Sequence, residues 1–474
     1  MSTSSHSAPS AAHDNSVFSV LKEAVRGSAR DLTEGPVGLS VFLLAVPMIL
    51  EMIMESVFAV VDVFFVARLG AEAVAVVGIT ESMMVLIYAV AIGLSVGATA
   101  TVARRIGEKD LDGAARSATH AIYIGIAVSV VMGVVGVIWA PDFLALIGAE
   151  PAVIEQGVTF TRIMLGANCV VVFLFLLNAI FRGAGDAAIA MRVLWVSNIL
   201  NIILDPLLIF GIWIFPELGV TGAAVATVIG RGIGVIYAAW VLFFGKKRFE
   251  IRAEHWKFDL GRFRRLFSLS WVAVLQFLIG TASWLGLMRL VAFFGSEAVA
   301  GYTIAIRVVV FALLPSMGLA NAAATLVGQN LGAEKPDRAE RSVWTAAKYN
   351  AVFQTSIGIL FVIFAGPIVA IFTAEPLVAQ YATDSLRIIA YGFFFYAVGM
   401  VLETSFNGAG DTWTPTYLNL FVFWLFEIPL AYVLAFYGGY GPYGVFWAIT
   451  IAFSMLAVAS TVLFRRGKWK LKEV

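Results

Sequence analysis

Charged side chains are scarce in this chain: Asp, Glu, Lys and Arg make up 13% of 474 residues, whereas hydrophobic residues make up 60%. A soluble protein of this length needs more polar surface, so the composition excludes that class. With a net charge of +1, the electrostatic footprint of a nucleic-acid-binding protein is not expected. The single cysteine, Cys169, cannot form an internal disulfide, and the four scattered histidines lack metal-ligand spacing.

Motifs of soluble enzymes are also missing or misplaced. Nothing in the chain forms a Walker A loop, so ATP is not the predicted energy source. GLSVG at 93–97 fits the nucleophile-elbow pattern, but it lies inside a long apolar run, where glycines serve helix packing. GAG at 183–185 lacks the preceding strand and the third glycine of a dinucleotide fingerprint. We therefore predict neither an enzyme nor a cofactor.

The chain contains one unit twice. FRGAGD at 181–186 returns as FNGAGD at 406–411, and GAEAVA at 70–75 returns as GSEAVA at 295–300, each after 225 residues. Because these and two further matches share one register without a gap, we interpret them as a duplication. Tandem copies of a membrane unit are typical of transporters whose site lies between the halves.

Apolar runs long enough to cross a bilayer, about 20 residues each, occur six times in each unit. An even number per unit gives both copies the same orientation, so they are expected to be parallel repeats related by an axis along the membrane normal. We predict an all-α membrane protein with twelve transmembrane helices in two six-helix lobes. The predicted segments are 38–66, 73–103, 117–139, 158–181, 187–210, 219–244, 266–294, 298–328, 343–364, 382–406, 416–437 and 444–464.

Lys and Arg are distributed unevenly between the two sets of connections. The tails and the connections on their side carry 26 of them, whereas the opposite set carries one, Arg68. This asymmetry predicts cytoplasmic termini and a multi-pass protein of the inner (plasma) membrane. The region 17–34 is predicted to form an amphipathic helix along the membrane surface. The expected division is a cytoplasmic tail at 1–37, an N-terminal lobe at 38–245, a cytoplasmic linker at 246–265 and a C-terminal lobe at 266–474.

The first segment contains three carboxylates, Glu51, Glu55 and Asp62. Helical spacing of about 100° per residue places them, with Phe58, on one stripe of the helix. Exposure of each acid to lipid would cost several kcal/mol, so the stripe is expected to face the protein interior or a watery cavity.

A second polar group lies in segments five and six, formed by Asn198, Asn201, Asp205 and Thr227. Asn201 and Asp205 are neighbours on one helix face because they are four residues apart. With Asp62 they share one depth in the outer half of the first unit, and such oxygen ligands suit a proton or Na⁺. The second copy lacks the acids, which favours a functional role. Its equivalent positions hold Gln276, Gly280, Leu287, Phe426 and Leu430.

A structural alternative is that these acids pair with buried basic residues. Arg68 and Arg162, both at the outer rim, are the basic residues that we assign near this depth in the first six segments. We therefore expect Asp62 and Asp205 to be unpaired, and we leave both interpretations open for the two glutamates of segment one. Arg307 of the second unit is equally compatible with helix anchoring and with function.

The chain resembles the multidrug and toxic compound extrusion (MATE) family over about 38–465. The likeness rests on the proline-bearing first helix at 47–70, the paired GAGD turns, VGQNLGA at 327–333 and NILNIILDPLLIFG at 198–211. The last segment is similar to the branch named for DNA-damage-inducible protein F rather than to the NorM branch.

The resemblance implies a V-shaped pair of six-helix lobes and cation-coupled export of organic, often cationic, compounds. It also implies a helix kink at Pro47 and a polar cavity residue at Asn178, whereas Phe58 stands where some relatives carry tyrosine. The family's coupling group falls on Asp62, Asn201, Asp205 and Thr227, which would also be the metal ligands if the ion is Na⁺. The expected substrate cavity holds Glu51, Glu55, Phe58, Asn178 and Asn198, although the family pattern does not assign the two glutamates.

The choice of ion follows from the number of oxygen ligands. Na⁺ takes about five or six, and the coupling group offers four side chains, so the sequence favours H⁺. Water or backbone carbonyls would have to complete a Na⁺ shell. The expected mechanism is antiport by competition between ion and drug, with rocking lobes and a bend at Pro47.

Two alternatives remain open. A lipid-linked oligosaccharide flippase of the same superfamily would need basic residues in the cavity, and a channel would not need an acid pair confined to one lobe. The expected partners are small organic substrates, H⁺ or Na⁺ and the lipid bilayer, with no nucleic acid, and we expect a monomer.

Overall fold

The computed structural model describes residues 17–148, 151–245 and 248–474, and every long element in these ranges is a helix. The first half consists of α1 (Val17–Arg26), α2 (Val37–Ala67), α3 (Ala71–Gly107), α4 (Leu111–Ile147), α5 (Pro151–Gly166), α6 (Asn168–Ala184), α7 (Ala187–Ile209) and α8 (Val220–Phe244). The second half consists of α9 (Leu260–Ala292), α10 (Ser296–Gly332), α11 (Pro336–Ala370), α12 (Pro376–Ala390), α13 (Phe393–Gly408), α14 (Trp413–Asn419), α15 (Ile428–Tyr432) and α16 (Pro442–Arg465). Two π-helical stretches, Leu420–Glu427 and Val433–Tyr437, flank α15.

The spanning segments agree with the predicted twelve. Eleven described spans are long and apolar enough to cross a membrane, and α12 with α13, which meet at a bend of 58°, make the twelfth. The all-α, two-unit prediction is therefore confirmed. The structure adds that segments four and ten are each broken into two helices, and that α9 begins at Leu260, within the region predicted as linker.

The duplication is visible in the helix boundaries. The helices α3 to α6 begin 225 residues before α10 to α13. The turns before α3 and α10 use Gly70 and Gly295, whose φ angles of 101° and 106° favour glycine because a Cβ is strained there. Equivalent helices therefore begin at equivalent turns in both lobes.

Among the described residues, the N-terminal lobe has two apolar clusters and the C-terminal lobe has one, and a further cluster lies where the lobes meet. This interlobe cluster packs Leu44 and Met48 of α2 against Ala323 and Leu326 of α10. It lies toward one end of the bundle, which holds residues 17–36 and 466–474 together with most Lys and Arg; we call this the basic end. The lobes are thus joined near the basic end.

The central helices α3 and α10 are buried toward the basic end and exposed beyond the middle. Near the basic end they cross at glycines: a Cβ on Gly107 would collide with the Gln329 carbonyl, and one on Gly332 with the Arg104 carbonyl. In their outer halves Glu81 of α3 and Arg307 of α10 are exposed. Charged side chains at this depth avoid lipid, so they line a watery cleft. From the close contacts near the basic end and the exposed charges beyond the middle, we infer that the cleft is closed at the basic end and open at the opposite end.

Two further expectations concern α2 and the N-terminal region. α2 runs as one helix through Pro47, without a break in the described conformation, so the bend at Pro47 stays a prediction. In the predicted amphipathic region 17–34, a helix covers Val17–Arg26 and turns follow. The part of the predicted tail at 1–16 lies outside the described residues.

Candidate cation and substrate site

The acidic site is built between α7 and α8. These helices approach closely because Gly230 of α8 leaves room for the Ser197 carbonyl and for Asn201. In the orientation that satisfies its neighbours, the Asn201 amide nitrogen donates to Asp205 Oδ2 at 2.8 Å, and its oxygen accepts from Thr227 Oγ1 and N, both at 3.0 Å. Asn201 therefore links Asp205 to Thr227, as their predicted grouping requires.

One oxygen of the buried Asp205 carboxyl remains available. Asp205 and Asn201 are fully buried, and Asp205 Oδ1 has no hydrogen-bond partner among the residues that the structure describes. Asp62 of α2 is partly exposed and interacts electrostatically with Asp205. Two like charges repel in such a setting, and a proton or small cation bound between them relieves the repulsion. The geometry therefore suits reversible cation binding.

One expectation about this site is wrong. We assigned Arg68 and Arg162 as the basic residues near this depth, but Arg231 of α8 lies in the site and is buried. Its guanidinium lies 3.5 Å from Glu55 Oε1 and 5.4 Å from the ring centroid of Phe58, and it interacts electrostatically with Asp62. The acid pair is thus flanked by a buried cation, although Arg231 forms its ion pair with Glu55.

The two glutamates of α2 are both paired, which favours the structural interpretation left open above. Arg182 Nη1 donates to Glu51 Oε1 at 3.1 Å, and Asn178 Nδ2 lies 3.4 Å from the same oxygen. Asn198 Nδ2 donates to Glu55 Oε2 at 2.9 Å. These links tie α2 to α6, α7 and α8.

The residues predicted for the substrate cavity are largely inside the N-terminal lobe. Glu51, Phe58, Asn178 and Asn198 are buried, and Glu55 is partly exposed. The stripe on α2 therefore faces the polar interior of its own lobe, with Asp62 at its outer end.

Sequence reasoning missed three side chains. Arg182 follows Asn178 by four residues, and Arg231 follows Thr227 by four residues, so each lies on the helix face of a residue already assigned. A search for charges at that spacing would have found both arginines. The third is Glu81, which lies in the cleft and interacts electrostatically with Asp62 and with Arg307 of the other lobe.

The donor set limits which ions fit. Among the described residues, no three His, Cys, Asp or Glu side chains are grouped to hold a metal ion. A Na⁺ ion would need the oxygens of Asn201 and Thr227, but the Asn201 oxygen already accepts two hydrogen bonds. A proton needs only the free Asp205 oxygen and the nearby Asp62 carboxyl.

Comparison with known proteins agrees with this architecture. The MatE family model matches residues 47–207 and 272–433, two ranges that begin 225 residues apart. A probable multidrug resistance protein NorM of Thermotoga maritima is 25% identical over 91% of this chain and 93% of its own length. An FAD transporter of Shewanella oneidensis is 26% identical over 92% of this chain and 96% of its own.

Solved structures share the fold. An outward-facing multidrug resistance MATE transporter of the MOP superfamily superposes with a TM-score of 0.88 at 24% identity, covering 94% of this chain and 99% of that one. The family model covers most of both halves, and the relatives match over nearly their full length. The chain is therefore a multi-pass membrane transporter, not an enzyme, and belongs to the MatE family of multidrug and toxic compound extrusion proteins.

Proposed function

We propose that this protein is a secondary antiporter that exports organic, mainly cationic, compounds in exchange for H⁺. The observation that carries the proposal is the Asp62–Asp205 pair, in which one oxygen of the buried Asp205 has no partner among the described residues and the carboxyl interacts electrostatically with Asp62. Asn201 and Thr227 position Asp205 through the hydrogen bonds described above. The names of the relatives, most of them multidrug resistance or export proteins, support the substrate class.

The proposed cycle begins from the conformation described here. A proton enters from the cleft, reaches the partly exposed Asp62 and is shared with Asp205. Protonation removes a negative charge that attracts a cationic drug, so the drug leaves toward the open end. The lobes then rock, the basic end opens and the proton departs as the next drug binds.

We further propose how the protein lies in the membrane. The 26 Lys and Arg at the basic end place that end in the cytoplasm under the positive-inside rule. The cleft then opens to the cell exterior, and the protein acts as a monomer in the inner membrane. The division into a tail to 37, lobes at 38–245 and 266–474, and a linker between the lobes belongs to this proposal.

Na⁺ remains the alternative ion, with Asp62, Asn201, Asp205 and Thr227 as ligands. Proton coupling is favoured because Phe58 adds no oxygen and the Asn201 oxygen is already used. The flippase alternative needs a basic cavity, and the exposed cleft pair of Glu81 and Arg307 carries both signs. Because one relative is an FAD transporter, an anionic compound should be tested as a substrate alongside cationic ones.

The test is drug efflux from everted vesicles containing the wild-type protein. Ethidium movement is followed first under a pH gradient without Na⁺, then under a Na⁺ gradient at equal pH, with FAD as a second substrate. We expect efflux that follows the pH gradient and is lost in Asp205→Asn. Efflux that requires Na⁺ and ignores the pH gradient assigns the site to Na⁺. Conductance without coupled flux favours a channel.

A further inference from the structure

An isolated carboxyl lies in the C-terminal lobe, outside the site described above. Glu427 ends the π-helical stretch Leu420–Glu427 and is 1% exposed. Both of its carboxyl oxygens are buried, and within the described part of the chain neither has a hydrogen-bond partner. Ile202 occupies the equivalent position of the N-terminal lobe, so the duplicated fold does not require an acid here.

Two buried tyrosines, Tyr302 of α10 and Tyr396 of α13, interact electrostatically with Glu427. Their rings are held by stacking, Tyr302 on Phe446 with ring centroids 6.0 Å apart and Tyr396 on Phe453 at 3.6 Å. The N-terminal lobe has Val77 and Val171 at the equivalent positions. The acid and both phenols are thus confined to one lobe.

An ionised Glu427 has no compensation in the described structure. No described Lys, Arg or His forms an ion pair with it, and the described titratable groups that interact with it electrostatically are the two tyrosines. A buried, unpaired carboxylate costs several kcal/mol, so the side chain is neutral in this conformation. A neutral carboxyl has a proton to release once water or a polar partner reaches it.

The helix around Glu427 is of a kind that can change register. π-helical turns are rare and concentrate at functional sites, and segment eleven has two of them, whereas its counterpart α7 is a regular α-helix. Conversion of one π-turn to α shifts the following residues by one position, which is about 100° around the helix. Such a change would turn the Glu427 side chain out of its apolar surroundings.

We propose that Glu427 is a second proton-binding site, loaded in the conformation described here and discharged when segment eleven changes register. The proton passes from the carboxyl to water, which carries it away as hydronium, and the Tyr302 and Tyr396 hydroxyls become available as hydrogen-bond donors to the carboxylate. The remaining carboxylate then lies in a polar setting until it is reloaded. The role of this site in transport rests on the proposed antiport, but proton binding to Glu427 can be measured without transport.

The test is infrared difference spectroscopy of the purified protein in lipid nanodiscs, titrated from mildly acidic to alkaline pH. We expect a band of a buried protonated carboxyl that disappears as the pH rises. Glu427→Gln should remove this band and lower the protons released per protein by about one. Glu375→Gln, a change of an exposed acid in the same lobe, is the matched control and should leave both unchanged.

A second variant protects the test if Glu427→Gln fails to fold. Tyr302→Phe keeps the stacked ring but removes a hydroxyl that can donate to the discharged carboxylate, so it should raise the midpoint of the Glu427 band by about one pH unit, a tenfold change in proton affinity. The proposal is overturned if the band persists in Glu427→Gln, if it survives to alkaline pH in the wild type, or if Tyr302→Phe leaves the midpoint unchanged. Loss of coupled efflux in Asp205→Asn with an intact band concerns only the N-terminal site.

Discussion

In both lobes an amide–carboxylate contact joins equivalent helices, but the amide and the carboxylate have changed places between the lobes. In the N-terminal lobe Asn178 of α6 lies against Glu51 of α2, at 3.4 Å. In the C-terminal lobe Gln276 of α9 donates to Glu403 of α13 at 2.7 Å. Both pairs are separated by 127 residues, and each carboxylate has the other lobe's amide as its counterpart.

This exchange separates what the fold requires from what one lobe added. An amide–carboxylate bond between these helices exists in both copies, so Glu51 belongs to the duplicated architecture. Asp62 and Asp205 have leucines as counterparts, Leu287 and Leu430, and no equivalent bond. A residue that differs between the lobes therefore indicates a specialised function only when the interaction it makes also differs.

The largest effect is expected from substitutions in the acid pair Asp62 and Asp205, which has no counterpart in the C-terminal lobe. Asp62→Asn or Asp205→Asn should reduce drug efflux to the background of cells that lack the protein, since neither amide binds a proton. The two acids act as one site, so the double variant should be little worse than either single one. Ethidium efflux, with membrane expression quantified, measures this. Near wild-type resistance in the Asp62→Asn variant, or additive losses in proton binding, would contradict it.

The next prediction concerns the amide–carboxylate contact that both lobes have, and it gives the N-terminal lobe the residues of the C-terminal one. Arg182→Asn alone leaves Glu51 buried without its cation and should lower the free energy of unfolding by about 3 kcal/mol. Adding Glu51→Gln and Asn178→Glu gives this site the residues of the C-terminal lobe, Gln276, Glu403 and Asn407. The triple variant should recover most of that loss.

Unfolding in detergent micelles measures the exchange, and efflux provides the second readout. Recovery of stability together with efflux means that Glu51 serves the fold. Recovery of stability without efflux would instead assign Glu51 to transport, and a triple variant no more stable than Arg182→Asn would refute the equivalence of the two bonds.

A smaller effect concerns how each lobe holds the other at the basic end. Arg338 of the C-terminal lobe donates to the carbonyls of Glu34 and Gly35, both at 2.7 Å, and Arg105 of the N-terminal lobe donates to the Val474 carbonyl at 2.9 Å. Each lobe thus binds a terminal segment joined to the other. These contacts join the two lobes across the closed basic end.

Arg338→Ala should therefore favour opening of the basic end by about 1–2 kcal/mol, the value of charged hydrogen bonds at a partly exposed site. Distances between spin labels on the two lobes, in a Cys169→Ser background, measure the populations. The control is Arg341→Ala on the same helix. An unchanged distance distribution in Arg338→Ala would mean that the contacts do not hold the end closed.

The fold was predictable because the hydrophobic runs and the 225-residue repeat are both visible in the sequence itself. The grouping of Asn201, Asp205 and Thr227 was predictable because helical spacing and depth fix it. The pairing of Glu51 with Arg182 and of Glu55 with Arg231 was not predictable, since the partners lie on different helices and only packing decides which helix faces meet. The π-helical turns around Glu427 could not be predicted, because an analysis of hydrophobic periodicity assumes regular α-helices.

The smallest expected effect concerns the segment that follows α16. Its Lys470 lies 2.6 Å from Glu340 of α11, and this hydrogen bond raises the pKa of Lys470 above its usual value. A lysine whose pKa is raised by folding stabilises the folded state below its unfolded pKa, and the contribution is lost as pH rises through the folded pKa. The segment should therefore loosen above the usual lysine pKa of about 10.4. A spin label at the exposed Leu471, placed as Leu471→Cys in the Cys169→Ser background, should gain mobility in that range. Glu340→Gln should be more mobile already at neutral pH and respond less to alkali. Equal mobility of the two proteins at neutral pH would show that the pair does not hold this segment.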